Sequence, residues 1–268
     1  LDKIHTVVLD EADRMLEMGF VDDIMRIASY LPKQKQTLLF SATMPPKIHE
    51  LARKVLINPT EVHLSTSKPA EKIDQSAYIC YEAQKLALIG QIFSNKQLHR
   101  VIVFSSSKQK VKEIYHTFRK MNLKVAAMHS DLEQNQREEV IRQFKNGHIH
   151  VLVATDIVAR GIDIEDIQMV INYDVPHDVE DYVHRIGRTA RAGGEGIAIT
   201  FVAEKEQHKF SAIEKFIEKE IPKAQLPASL GEGPAYSPIR KGKPNRNKGG
   251  KKRFYKRPKK SVERTDNK

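Results

Sequence analysis

Short apolar runs alternate with amphipathic stretches along most of the chain, and the two periodicities separate cleanly. The first run, Ile4, Val7, Val8 and Leu9, reads as a buried parallel strand that ends at Asp10. Ile24, Ile27, Ala28 and Leu31 follow at i, i+3, i+4 and i+7, the stripe of an amphipathic helix that Pro32 helps to close. Thr37-Leu38-Leu39-Phe40 predicts a second buried strand, and Pro45 or Pro46 a helix start, since proline suits a first turn. Glu61-Val62-His63-Leu64 predicts a third short strand. Residues 65–75 turn polar and read as a linker. Beyond it, strands are predicted near 77–81, 101–105, 124–128, 151–154, 169–172 and 196–201, with helices between them. One helix carries a clean stripe of Val111, Ile114, Tyr115 and Phe118. This alternation predicts an α/β fold, a parallel sheet covered by helices on both faces.

Composition narrows the setting. The 268 residues suit one or two domains, and 40% hydrophobic content is enough for real cores. No apolar stretch approaches the ~18 residues of a membrane span, and no signal-peptide pattern opens the chain. Leu1 stands in or beside a strand without an initiating Met, which reads as truncation of a longer protein. Cys80 is the only cysteine, so no intrachain disulfide or cysteine-based zinc site forms, and a reducing, cytoplasmic location is expected.

The net charge of +11 is wholly local. Residues 231–268 hold 14 Lys and Arg against 3 Asp and Glu, whereas the 31 basic and 31 acidic residues before them cancel. So polar a segment buries too little surface to offset its chain entropy, and residues 223–268 are expected to form a disordered basic tail. Its cations and the adjacent Phe254 and Tyr255 suit phosphates and unpaired bases.

Three strings carry chemistry. Asp10-Glu11-Ala12-Asp13 follows the first strand, where open α/β sheets place ligands. An Asp there can hold the Mg²⁺ of a nucleotide, and a neighbouring Glu can act on the attacking water, although acids after a strand are also ordinary helix caps. Ser41-Ala42-Thr43 follows the second strand and, taken alone, is a strand-to-helix turn. His184-Arg185-Ile186-Gly187-Arg188-Thr189-Ala190-Arg191 spaces three arginines three apart, with Gly187 leaving room for close approach. Guanidiniums at a domain face suit the charge that develops on a transferring γ-phosphoryl group. No G-x-x-x-x-G-K-[ST] phosphate loop occurs in these residues.

In that order the strings resemble those of a DEAD-box ATP-dependent RNA helicase of superfamily 2, of the bacterial type with a basic C-terminal tail. The resemblance runs from residue 1 to about 221. It implies the C-terminal part of an ATP-binding RecA-like domain over residues 1–64, a linker over 65–75, a complete second RecA-like domain over 76–222, and the tail over 223–268. It implies ATP and Mg²⁺ as cofactors and RNA, bound without sequence preference, as partner. Ribosomal or RNA-decay assemblies are among the settings it allows. Asp10 would position Mg²⁺ and the nucleotide, and Glu11 would act on the hydrolytic water. Arg188 and Arg191 would stabilise the γ-phosphoryl charge, and Asp163 would bind the ribose. Asp13, Ser41, Thr43, His184 and Arg160 would couple the domains. Thr155-Asp156-Ile157-Val158-Ala159-Arg160-Gly161-Ile162-Asp163 matches a further family motif, expected at the same rim as the arginines. RNA would meet Gln134, Arg137, Thr155 and Gly161, most of them at the other rim, near the outward-facing serines that follow a core Phe104. The family commonly has Gly where this chain has Ala190, and His-Gly-Asp where it has His129-Ser130-Asp131.

The full protein is thus expected to be an ATP hydrolase that opens short RNA duplexes, and this chain alone, without a phosphate loop, to be inactive. Two rivals stand beside that reading: a non-enzymatic RNA-binding module that needs neither Glu11 nor Arg191, and a DNA helicase of the same superfamily. His148-x-His150 lacks a third ligand nearby and reads as two solvent-facing histidines beside a strand.

Overall fold

Strands β1 (Thr6–Leu9) and β2 (Gln36–Leu39) pair in parallel, and between and after them lie α1 (Ala12–Glu17), α2 (Val21–Ser29) and α3 (Pro46–Val55). These come from a computed structural model that describes residues 1–63, 72–94, 98–156, 167–190 and 195–238. Pro45 and Pro46 do open a helix, at its N-cap and first turn. The two strands are less buried than their apolar runs predict. Val7 and Leu9 are half-buried, while Val8 on the opposite face is 52% exposed. A two-stranded sheet with helices packed on it covers one face at most, so alternation rather than full burial results. Residues 61–63 form no strand, and Val62 is 78% exposed. No described strand lies beside them to pair with, and backbone groups without a ladder partner stay solvated.

The larger sheet has seven strands: β3 (Ile73–Ile79), β4 (Val101–Phe104), β5 (Val125–Met128), β6 (Val151–Ala154), β7 (Met169–Asn172), β8 (Gly196–Val202) and β9 (Lys223–Ala224). Their order is β5-β6-β4-β7-β8-β3-β9, and every pairing is parallel. Period-two alternation divides the strands between two faces. Val101, Val103, Val151, Val153, Met169 and Ile171 pack with α4 (Lys85–Ser94) and α5 (Lys108–Lys120), including the predicted Val111, Ile114 and Phe118. Ile102, Phe104, Leu152 and Val170 turn to the other face and meet Phe144 of α6 (Gln134–Lys145). On that side of β3 and β8, α7 (Val179–Ile186) and α8 (Gln207–Phe216) add Tyr182, Ile186, Phe210 and Ile213.

Two boundaries differ from the sequence reading. β3 begins at Ile73, inside the stretch read as linker, because polar Gln75 is buried there and accepts a hydrogen bond from Tyr182 Oη at 2.9 Å. Residues 223–238, read as the start of a disordered tail, are folded onto the sheet. β9 covers the edge of β3, Leu226 and Leu230 pack against the core, and Tyr236 Oη donates to Glu214 at 2.6 Å. Leu226 and Leu230 pack against one cluster of the core and Tyr236 against another, which holds the segment down. Residues 239–268, which carry most of the basic tail, lie outside the described residues.

Candidate nucleotide cleft and nucleic-acid rim

The pairing of β1 with β2 brings the two N-terminal strings together. Phe40 N donates to Leu9 O at 2.8 Å and Ala12 N to Phe40 O at 3.0 Å, so the turns after both strands run side by side. Asp13 then ties them. Its carboxylate accepts from Thr43 N at 2.8 Å and Thr43 Oγ1 at 3.0 Å, and its own N–H donates to Ser41 Oγ at 3.1 Å. Glu11 caps α1 with left-handed backbone, φ 50°, and its side chain makes no capping hydrogen bond. An ordinary acidic cap would spend its carboxylate on the helix N-terminus, and a non-glycine residue at positive φ is strained. Asp10 is exposed and, among the described residues, accepts from the N–H of Glu11 alone, at 2.9 Å.

Asp10, Glu11, Asp13, Ser41 and Thr43 line a cleft of about 370 Å³ whose far wall includes Asp178, Asp181 and His184. His184 is exposed on α7, four residues from the start of the motif's C-terminal turn at Arg188. Burial pushes the Asp181 carboxyl up, and the charge of Asp156 adds to it. Hard, exposed carboxylate oxygens at the mouth of a polar cleft are the donor set that Mg²⁺ takes.

The three arginines do not share one environment, because α7 stops at Ile186 and Gly187 caps it. Arg185 is 3% exposed and forms a forked pair with Asp156, Nε to Oδ1 at 2.6 Å and Nη2 to Oδ2 at 2.7 Å. Its Nη1 donates to Asn172 Oδ1 and to the carbonyl of Asp174, and its guanidinium lies 5.2 Å from the Phe104 ring centre. The signal for this was available: Arg185 stands on the buried Tyr182–Ile186 stripe of its helix. Arg188 is half-exposed on the turn beyond, and Ala190 takes φ 56°, a conformation that suits glycine. Arg191, Arg160, Gly161 and Asp163 lie outside the described residues.

The expected RNA contacts gather where the strands end. Thr155 N donates to Met128 O and Ser105 N to Ala154 O, linking the turns after β4, β5 and β6. Thr155 is half-buried, Gln134 is exposed at the first turn of α6 and reaches Glu138, and Arg137 is half-buried with its Nε unpartnered. Phe104 is in the core as expected, but Ser105 is fully buried rather than outward-facing, because a carboxylate beneath it accepts its hydroxyl. Of the segment that opens at Thr155, Asp156 meets the arginine string at Arg185, and residues 157–163 lie outside the described residues. Thr189 bridges to Ile167 ahead of β7, at the amino end, because α7 carries the chain back along the strands. His148 is exposed, and His150 stacks edge-on against His99 at 4.2 Å.

Residues 1–51 match the family model of the DEAD/DEAH box helicases, and residues 84–193 that of the helicase conserved C-terminal domain. The chain belongs to the DEAD-box helicase family. Among similar DEAD-box proteins is the ATP-dependent RNA helicase DeaD of Mycobacterium tuberculosis, 46% identical over 85% of this chain and 40% of that protein. CshA of Listeria monocytogenes is 41% identical over 85% of this chain and 44% of its own length. The chain therefore spans less than half of these curated relatives. Saccharomyces cerevisiae Dbp5 bound to RNA and ADP BeF3 is 33% identical with a TM-score of 0.76, over 84% of this chain and 60% of that one. Escherichia coli SrmB, solved with regulator of ribonuclease activity A, is 32% identical with a TM-score of 0.56, over 62% of this chain and 98% of that one. The parallel seven-stranded sheet is the RecA-like fold of these DEAD-box helicases.

Proposed function

We propose that this chain is the C-terminal part of the catalytic core of an ATP-dependent RNA helicase that opens short RNA duplexes locally. The observation that carries the reading is the cleft itself, where an uncommitted Glu11 and an exposed Asp10 face the helix that bears His184 and leads to Arg188. Asp10 would hold Mg²⁺, which when bound neutralises charge on the nucleotide phosphates. Glu11 would orient and deprotonate the attacking water, and Arg188 with Arg191 would stabilise the charge on the γ-phosphoryl group. Arginines in that role contribute ~10³–10⁵ in rate. Asp13, through Thr43 and Ser41, would carry the state of the cleft to His184. Asp163 would hold the ribose, Arg160 would help link the two sites, and Gln134, Arg137, Thr155 and Gly161 would grip RNA phosphates.

This chain, in which no phosphate loop occurs, would hydrolyse no ATP alone. The test is RNA-stimulated ATP hydrolysis by the native gene product beside this chain. The native product should turn over, the chain should not, and Glu11→Gln and Arg191→Ala should each abolish turnover of the native product. Near-normal turnover in either variant would overturn the assignment.

A further inference from the structure

A second polar cluster, apart from the cleft, lies where β4 and β7 end. Asp174 is 1% exposed, and its two oxygens gather five donors. Oδ1 accepts from Lys85 Nζ at 3.1 Å and Lys110 Nζ at 2.6 Å. Oδ2 accepts from Ser105 Oγ at 3.0 Å, and from Ser106 N and Oγ, both at 2.8 Å. Lys85 is fully buried and also pairs with Glu206 at 2.9 Å and Glu82 at 3.2 Å. Burial alone would push the Asp174 carboxyl up, but Lys85 first, then Lys110 and the Ser106 N–H, hold it well below the usual carboxylate range. Burial alone would lower Lys85, and Asp174 and Glu206 keep it charged.

The cluster is lopsided. Four of the five donors on Asp174 come from residues 105–110, the turn into α5 and its first residues. Glu206, the half-buried partner of Lys85, bonds to Lys85 and to the Ala203 N–H, and among the described residues no hydrogen bond ties it to that turn. The turn in turn sets a cationic edge. Ser107 caps α5, and from its exposed side Lys108 and Lys112 reach Asp131, in the loop that leads to Gln134. A buried ion pair adds little net stability over an apolar replacement of the same shape, so its geometric effect is what distinguishes it.

We propose that Asp174 is a positioning residue for RNA binding, its carboxylate fixing the 105–107 turn so that Lys108 and Lys112 stand where the strand's phosphates pass. This rests on the RNA rim proposed above. Asn at this position could not accept from all five donors at once, and the turn would lose its fixed hydrogen bonds while Phe104 stayed in the core.

The experiment measures Kd of the whole chain for a labelled single-stranded oligouridine, with thermal unfolding in parallel. Asp174→Asn and Ser106→Ala should each weaken binding about five-fold, and the double variant no more than the stronger single, as coupled residues do. Glu206→Gln should lower the Tm, having removed a partner of the same Lys85, yet leave Kd within about two-fold. Equal shifts in Kd for Asp174→Asn and Glu206→Gln would overturn the proposal, since stability alone would then explain them. So would an unchanged Kd in Asp174→Asn when Gln134→Ala and Thr155→Ala weaken binding, and there the RNA rim would survive. If Gln134→Ala and Thr155→Ala also leave Kd unchanged, the rim and this inference fall together. Should Asp174→Asn not fold, Ser106→Ala, which keeps the Lys85 pair, decides alone: wild-type affinity overturns the proposal.

Discussion

β1 and β4 have nearly the same sequence character, Thr-Val-Val-Leu and Val-Ile-Val-Phe, and opposite fates. All four residues of β4 are buried, with β6 and β7 on its flanks and helices on both faces. β1 has one neighbour and leaves Val8 half in water. Across residues 1–63 only Ala12, Ile24, Ile48 and Leu51 are buried among the hydrophobics, whereas three continuous clusters fill the seven-stranded region. Burial is a property of the neighbourhood, and an apolar run only makes it available.

The contrast is testable in order of effect. Phe118→Ala, fully buried between α5 and the sheet, should cost about 3–5 kcal/mol in urea unfolding, and Val8→Ala under about 1 kcal/mol. Comparable costs would erase the difference between the regions. Asp156→Ala strands the buried Arg185 guanidinium and should cost about 3 kcal/mol, whereas Asp13→Ala, which ties two surface turns, should cost about 1 kcal/mol. Tyr236→Phe removes a hydrogen bond to the Glu214 carboxylate and should cost about 1–2 kcal/mol. No loss there would detach residues 223–238 from the folded region.

Smaller effects sharpen the picture. Burial first, then the charge of Lys112, lowers His129 from its ordinary 6.5, so the stability it contributes is complete above that pH. It is lost as pH falls through the lower folded value, and His150, lowered by burial and His99, acts in the same direction. His129→Gln should therefore flatten the acid-side fall in Tm. Ala190→Gly should stabilise the fold by up to about 1 kcal/mol, seen as a slight rise in Tm, because it relieves a methyl group at φ 56°. A fall in Tm would mean that this backbone carries no strain.

Much of the fold was legible. Strands ending in Leu9, Leu39, Phe104 and Ala154 announce themselves by apolar runs, and α5 by its stripe, because period alone separates strand from helix. The partnership of Asp13 with Ser41 and Thr43 was legible too, through a family resemblance rather than through spacing. The polar residues that enter the core were not. Gln75, Lys85 and Asp174 look like surface residues in a linear reading, and each is buried only because a partner far along the chain meets it.

The sequence by itself determined the order of strands and helices, the parallel α/β class, the strings that define the family and the place of the excess charge, since these depend on local periodicity and side-chain chemistry. The tertiary structure alone decided which apolar runs are covered, that Arg185 turns inward while His184 faces the cleft, and that residues 223–238 close an edge of the sheet. Those outcomes depend on pairings across 13 to 148 residues of chain, such as Asn172 with Arg185 and Gln84 with Glu232, and no local pattern encodes where such partners will meet.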